Sequence, residues 1–234
     1  MQTHNIHTDA LNIINKDIKK YSPHPSLVNI IAVTKTFNYT AIISAQKHKL
    51  PCIGENQVQE FLLKYQKNPT IKQGIETHLI GHLQSNKVKK AVGLFDVLQT
   101  VDSIKVAQKI NNTAEEKGVP QSIFIQVNVG QDPNKHGFTL KTLYKNIETI
   151  QNLQHVHLIG LMTILPFYKQ AQQTQPLFNA MKKIQTKVLK EISPTCKFLS
   201  MGMSRDYIYA LKEGATHLRI GTKLYGTRKQ NIFN

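Results

Sequence analysis

The chain has 234 residues, enough for one sizeable core, and 30 Lys and Arg against 14 Asp and Glu give a formal net charge of +16. Such an excess favours anionic partners, from phosphorylated small molecules to nucleic acid. The lysines are dispersed over helical segments, as at Lys182, Lys183, Lys187 and Lys190, with no dense basic or aromatic-studded run, so nucleic acid is not favoured.

Two cysteines, Cys52 and Cys196, stand far apart among apolar residues, which reads as reduced core thiols and a cytoplasmic setting. The N-terminus lacks a basic segment followed by an apolar stretch, so it is not a secretory signal. No apolar run approaches the roughly 18 residues of a membrane span. The ten histidines do not pair at helical ligand spacing with a carboxylate, and no metal is expected.

In chain order, residues 6–21 read as an amphipathic helix, with Ile6, Ala10, Ile13, Ile14 and Ile18 on one stripe. Pro23 and Pro25 end it. Residues 27–35, LVNIIAVTK, are an almost unbroken apolar run rich in β-branched residues, which predicts a strand buried on both faces. Ile31, Val33 and Lys35 then share one side, so the lysine is aimed along an apolar wall. Poor solvation of an ammonium there favours the neutral amine, a nucleophile toward aldehydes. The competing reading is a lysine that snorkels from a strand end into water.

A helix is predicted over 38–50, a strand over 52–54, and a helix from an Asn56 N-cap to about Lys67. A strand over 77–81 leads to a helix over 85–92. A strand over 96–101 leads to a helix capped by Asp102 or Ser103 and closed at Gly118. Residues 122–129 are the clearest strand, followed by the polar loop GQDPNKHG and a helix over 140–152. A strand over 157–164 precedes a long helix over 170–191. A strand over 198–203 precedes a short helix from Ser204 to Glu213, with Gly214 as its left-handed stop. The last strand is 217–222, and a short tail follows.

Eight strands alternating with helices imply a single closed (β/α)8 TIM barrel, one domain over 1–234, preceded by an N-terminal helix. An open doubly wound sheet is the alternative, but no glycine-rich dinucleotide fingerprint follows any strand.

In such barrels the working groups sit at the C-terminal ends of the strands. Lys35, Asn56, His82, Gln84, Asn128, Lys135, Ser204, Arg219, Gly221 and Thr222 all fall there. Ser204 at a helix start offers a place for phosphate, or merely a cap. Gly221 lets backbone N–H groups approach an anion closely, in the loops where these barrels often bind phosphate. Arg219 shares its face and needs an acceptor, either a carboxylate or a ring nitrogen of a ligand. A lysine nucleophile, a phosphate cup and an arginine between them match pyridoxal 5′-phosphate (PLP).

AVTKT around Lys35, GENQVQE from Gly54, HLIGHLQSNKVK from His78, and SMGMSRD with RIGTKLYGTR near the end carry a further signal. Through them the sequence resembles the pyridoxal phosphate homeostasis protein family, whose members resemble the N-terminal barrel of alanine racemase. NVGQDPNKHG and GLMTI also resemble family segments. The resemblance implies an internal aldimine on Lys35, phosphate held by Ser204, Gly221 and Thr222, and Arg219 facing the pyridine nitrogen. Asn56 and Ser200 are implied pocket neighbours, and Lys135 matches a family loop lysine of open role. One departure is Phe37-Asn38, where the family commonly has a basic residue and then proline or a related turn. That touches the start of the first barrel helix and leaves Lys35 in place.

Two functional classes follow. One is a non-catalytic PLP-binding protein of vitamin B6 homeostasis, a monomer that passes PLP to apo PLP-dependent enzymes. The other is a PLP enzyme acting on amino acids, racemase-like. An arginine beside the pyridine nitrogen disfavours its protonation and weakens the electron sink. The chain ends at Asn234, so the second domain that carries the opposing base in racemases is not expected. No acid–base group is expected in the segments bordering Lys35. The carrier is therefore preferred.

Overall fold

A computed structural model describes residues 3–227. Its eight strands are parallel and close in chain order into a barrel, with β1 (Asn29–Val33) hydrogen-bonded to both β2 (Cys52–Glu55) and β8 (His217–Ile220). The intervening strands are β3 (Glu76–Leu79), β4 (Val97–Val101), β5 (Gln121–Gln126), β6 (Val156–Met162) and β7 (Phe198–Met203). The expected (β/α)8 barrel is thus the observed architecture, and the unbroken apolar runs reflect strands covered on both faces.

Helix α1 (Thr8–Tyr21) precedes the barrel and buries Leu11, Ile14 and Ile18. Ile13, placed on that stripe by the sequence, is half-exposed, because the buried face follows residues 11, 14 and 18 instead. The helix is moored by the backbone bond from His7 N–H to the Leu224 carbonyl (2.8 Å) and by Tyr207 donating to Asp17.

The outer helices are α2 (Thr40–Lys47), α3 (Val58–Lys67), the single turn α4 (Val88–Ala91), α5 (Ile104–Lys117), α6 (Leu140–Gln151), α7 (Gln175–Glu191) and α8 (Tyr207–Lys212). Ser103 caps α5, its side chain accepting the Val106 N–H, and Gly118 closes it in the left-handed region at φ 63°. The predicted helix over 85–92 is a 3-10 turn followed by α4. The predicted start at Gln170 is likewise a 3-10 turn, with α7 beginning beside Pro176. After β8 comes one further helical turn, α9 (Thr222–Tyr225), where the sequence predicted strand to residue 222 and then a short tail.

Most of the core lies between strands and helices. A second, small cluster of Val97, Phe124 and Met162 fills part of the lumen. His217 meets His78, Phe124 and Phe198 there, from three other strands. Gly160 admits Phe124, since a Cβ on it would stand 2.5 Å from that ring. Both thiols are buried and free, with the Cys196 thiol pushed up to about 12 by burial.

Candidate functional site

A cavity of about 630 Å³ opens at the C-terminal ends of the strands, a size suited to a small ligand. Lys35, Asn56, Ser204, Arg219, Gly221 and Thr222 all line it. Ser200, expected as a pocket neighbour, does not. It is fully buried beneath Arg219 and accepts a hydrogen bond from it at 2.7 Å.

Lys35 stands two residues beyond β1, and Val33 and Lys35 both reach the cavity, as alternation requires. Its neighbours are fixed from behind. Thr34 Oγ1 donates to Glu55 (2.6 Å), and Lys64 Nζ donates to the Thr34 carbonyl (2.9 Å). The Thr36 N–H donates to Glu60 (2.5 Å), and Thr36 holds φ 65°, a left-handed conformation disfavoured for a β-branched residue. Lys64 bridges Glu55 (2.6 Å) and Glu60 (2.8 Å). Two carboxylates share one ammonium, and burial pushes the Glu55 carboxyl up to about 7. None of these five residues was singled out from the sequence; the pair Glu60 and Lys64, four apart in α3, was the readable hint. Phe37 is buried against His4 and Tyr225, and Asn38 accepts the Thr40 N–H (2.9 Å), so the departure from the family pattern still starts α2 cleanly.

Asn56 is not the predicted N-cap. The chain stays extended through Glu55, and α3 begins only at Val58 with Gln57 in the cap position. Asn56 instead sits at the strand exit, where Gly81 lies so close that a Cβ would stand 2.2 Å from the Asn56 carbonyl oxygen.

Ser204 does not cap its helix either. The Asp206 carboxylate accepts the Met203 N–H (2.6 Å), and the Asp206 N–H returns to the Met203 carbonyl. This turn delays α8 until Tyr207, with Asp206 in the cap position. Ser204 is left in the turn, where Oγ accepts the Lys223 N–H (3.3 Å) from the first turn of α9. The loop after β7 and the helix after β8 are thereby joined, with Gly221 and Thr222 at the junction.

Arg219 is 4% exposed. One terminal nitrogen donates to Ser200 and the other to the Thr163 carbonyl (2.7 Å each). Burial pulls its pKa down to about 10, opposed by the nearby Asp206. A guanidinium carries five N–H donors, so donors remain for a ligand in the cavity it lines.

The structure corrects one expectation about the mouth. Lys135 and His136, in the loop after β5, line the same cavity as Lys35, so potential acid–base groups do border it. Asn128 shapes that loop and donates to the carbonyls of Asp132 (2.8 Å) and Lys135 (3.2 Å). His136 stacks on His82 (centroids 3.8 Å apart, planes at 11°), and Asp102 faces both rings at 3.7 and 3.1 Å. Far spacing in sequence hid this cluster. Parallel stacked rings put a shared ion well out of both ring planes, so the arrangement suits a hydrogen-bonded pair better than a metal.

Comparison with known proteins bears on this geometry. The sequence matches the family described as alanine racemase, N-terminal domain, over residues 6–229. A pyridoxal phosphate homeostasis protein of Aquifex aeolicus (strain VF5) is 33% identical over 220 residues, covering 94% of this chain and 96% of that one. The protein of that name from Homo sapiens is 35% identical over 210 residues, 85% of this chain and 76% of its own length. The chain belongs to the pyridoxal phosphate homeostasis protein family. The solved structure of PipY from Synechococcus elongatus PCC7942 with PLP bound superposes at TM-score 0.80, with 34% identity over 91% of this chain and 100% of that one. An alanine racemase from Clostridium difficile 630 superposes at TM-score 0.72 over 99% of this chain and 64% of that one. At 16% identity, that likeness concerns the barrel alone. No helix among the described residues is long and apolar enough to cross a membrane.

Proposed function

We propose that this chain, a single barrel domain working as a monomer in the cytoplasm, holds PLP as a Schiff base on Lys35 and delivers it to PLP-dependent enzymes. The observation that carries the reading is one cavity lined by an amine, a buried guanidinium and the Ser204–Gly221–Thr222 junction. The donor set fits the cofactor. Ser204 and the first N–H groups of α9 suit a phosphate, and Arg219, with donors left over from Ser200 and Thr163, would donate to a pyridine nitrogen without requiring it to be protonated. Asn56 lines the wall beside Lys35. When bound, PLP supplies an electrophilic aldehyde and a conjugated ring. A fixed cation beside the ring nitrogen weakens the ring as an electron sink, which supports holding and release over turnover.

Borohydride reduction followed by peptide mass mapping tests the attachment. The pyridoxyl mass is expected on the peptide containing Lys35, and Lys35→Ala is expected to lose the visible band and stay folded. Label chiefly on another lysine overturns the assignment. Delivery is tested by mixing PLP-loaded protein with a PLP-free apoenzyme, whose activity should return.

The second reading, a racemase-like enzyme, draws on Lys135 and His136 at the mouth. It prevails if turnover of any amino acid exceeds that of free PLP by about a millionfold, the lower end of enzymatic acceleration.

A further inference from the structure

The lumen of the barrel holds a continuous hydrogen-bonded thread. Arg219 donates to Ser200 Oγ (2.7 Å), Ser200 donates to Gln99 Oε1 (2.6 Å), Gln99 Nε2 meets His78 Nδ1 (2.7 Å), and His78 Nε2 meets Glu76 (2.5 Å). Ser200, Gln99 and His78 are each 0% exposed. Glu76, the first residue of β3, has a half-exposed side chain at the N-terminal end of the barrel. Arg219 lines the cavity at the opposite end. The thread crosses between β4 and β7, which are not neighbours in the sheet.

The polarity of the thread is determined by its ends. Arginine only donates and a carboxylate only accepts. The Ser200 hydroxyl, accepting from Arg219, passes its hydrogen to Gln99 Oε1. That leaves the Gln99 amide N–H for His78 Nδ1, and the imidazole N–H on Nε2 for Glu76. All four bonds then run in one direction. With an imidazole that carries its one hydrogen on Nε2, a flipped Gln99 amide would place Oε1 against an Nδ1 that has no hydrogen to give. The His78 hydrogen bond also holds the Glu76 carboxyl below its usual range.

Polar groups in a lumen partly filled by Val97, Phe124 and Met162 are costly unless every bond is made. Hydrocarbon would fill the same space at lower risk. The end of the thread that faces a ligand cavity is Arg219, so its orientation is what the thread serves. We propose that Gln99 and His78 are positioning residues: acting through Ser200, they fix the Arg219 guanidinium in the orientation that meets the ring nitrogen of the ligand.

This inference rests on the PLP reading for the ligand, but not for the arginine, and the test separates the two. The full chain is prepared free of PLP and loaded with it, as wild type, Gln99→Met and Gln99→Glu. Methionine keeps the unbranched shape and removes the thread, whereas glutamate keeps an acceptor for Ser200 and bonds His78 only once Nδ1 also takes up a hydrogen. Without PLP, the side-chain 15N–1H resonances of Arg219 are followed by NMR. With PLP labelled at its ring nitrogen, the 15N shift of that nitrogen is followed. Gln99→Met is expected to average the Arg219 resonances, move the ring-nitrogen shift and speed PLP loss about tenfold, the effect of one oriented hydrogen bond to a charged group. Gln99→Glu is expected to recover the Arg219 signal and much of the shift. If Gln99→Met does not fold, Glu76→Ala, a change at the exposed end, is expected to move the same resonances less. Arg219 resonances unchanged in the variants that fold overturn the proposal, even where stability falls. Absence of the lysine-bound PLP band in wild type overturns the PLP reading, and the PLP-free spectra still decide the thread.

Discussion

The two corners of the cavity are held by opposite means. At the β1 corner, charged side chains on the outer face of the barrel pin the chain around Lys35: Glu55, Glu60 and Lys64 grip Thr34 and Thr36, and Thr36 carries a left-handed φ. All of those residues lie within about one βαβα stretch of sequence. At the β7–β8 corner, the grip is a turn closed by Asp206, a Ser204 bridge to α9, and a thread through the lumen reaching back to β3. The lysine is thus oriented by a local ionic lock, and the anion site by contacts between distant strands. The lock should govern stability and lysine geometry. The distant contacts should govern ligand retention.

The largest effect is expected where the lock is broken. At pH 8, above the Glu55 value of about 7, Lys64→Met removes the ammonium between two carboxylates, one of them fully buried, and should destabilise the fold by about 3–5 kcal/mol in urea unfolding. Adding Glu55→Gln to that variant should recover much of the loss at that pH, since no buried carboxyl is then left either to hold a charge without a partner or to take up a proton. A double variant no more stable than Lys64→Met would mean that packing of the lysine stem, not charge, holds the corner. At the other corner the effect falls on the ligand. Ser204→Ala should hardly move the unfolding midpoint but should weaken PLP by roughly tenfold or more, in line with about 1.5–3 kcal/mol for a charge-assisted hydrogen bond. Pyridoxal, which lacks the phosphate, should bind as before. Equal weakening of both ligands would reduce Ser204 to the Lys223 N–H bridge alone.

The same contrast explains what could be read from the sequence. Strand and helix alternation is written locally, in apolar runs and caps such as Ser103 and Gly118, so the barrel and its rim followed. Lys35 and Arg219 were legible because strand alternation and position relative to the glycines assign them a face. The caps proposed at Asn56 and Ser204 failed for a shared reason. A polar residue after a strand can cap, but here Gly81 draws Asn56 against the rim and Asp206 takes over the turn before α8. Ser200 was expected as a pocket neighbour; it is buried one layer back, where it accepts a hydrogen bond from the Arg219 guanidinium that lines the cavity. Gln99, His78 and the His82–His136 stack depend on which strands face each other across a closed barrel, and pattern along one strand does not carry that.

The pH dependence of stability is the sharpest test of the lock. Burial raises the Glu55 carboxyl from the usual 4.5 to about 7, against the pull of Lys64, and its Oε2 is buried with no hydrogen-bond partner among the described residues. The folded chain therefore binds more protons at this group than the unfolded chain between those two values. The stability it contributes is fully present below about 4.5 and is lost as pH rises through about 7. His217 acts in the opposite sense. Burial in the lumen pushes it from 6.5 down to about 3, so its contribution is present above 6.5 and is lost as pH falls toward 3. In the wild type the two slopes overlap and oppose each other between about 4.5 and 6.5, and a single pH profile would hide both. The difference between wild type and Glu55→Gln removes His217 and every other common group. That difference in unfolding free energy should favour the wild type most at acid pH and decline steadily to about pH 7, then level off. A difference that grows with pH would mean that Glu55 is ionised throughout, with Lys64 overcoming burial, and the lock would then be a full ion pair.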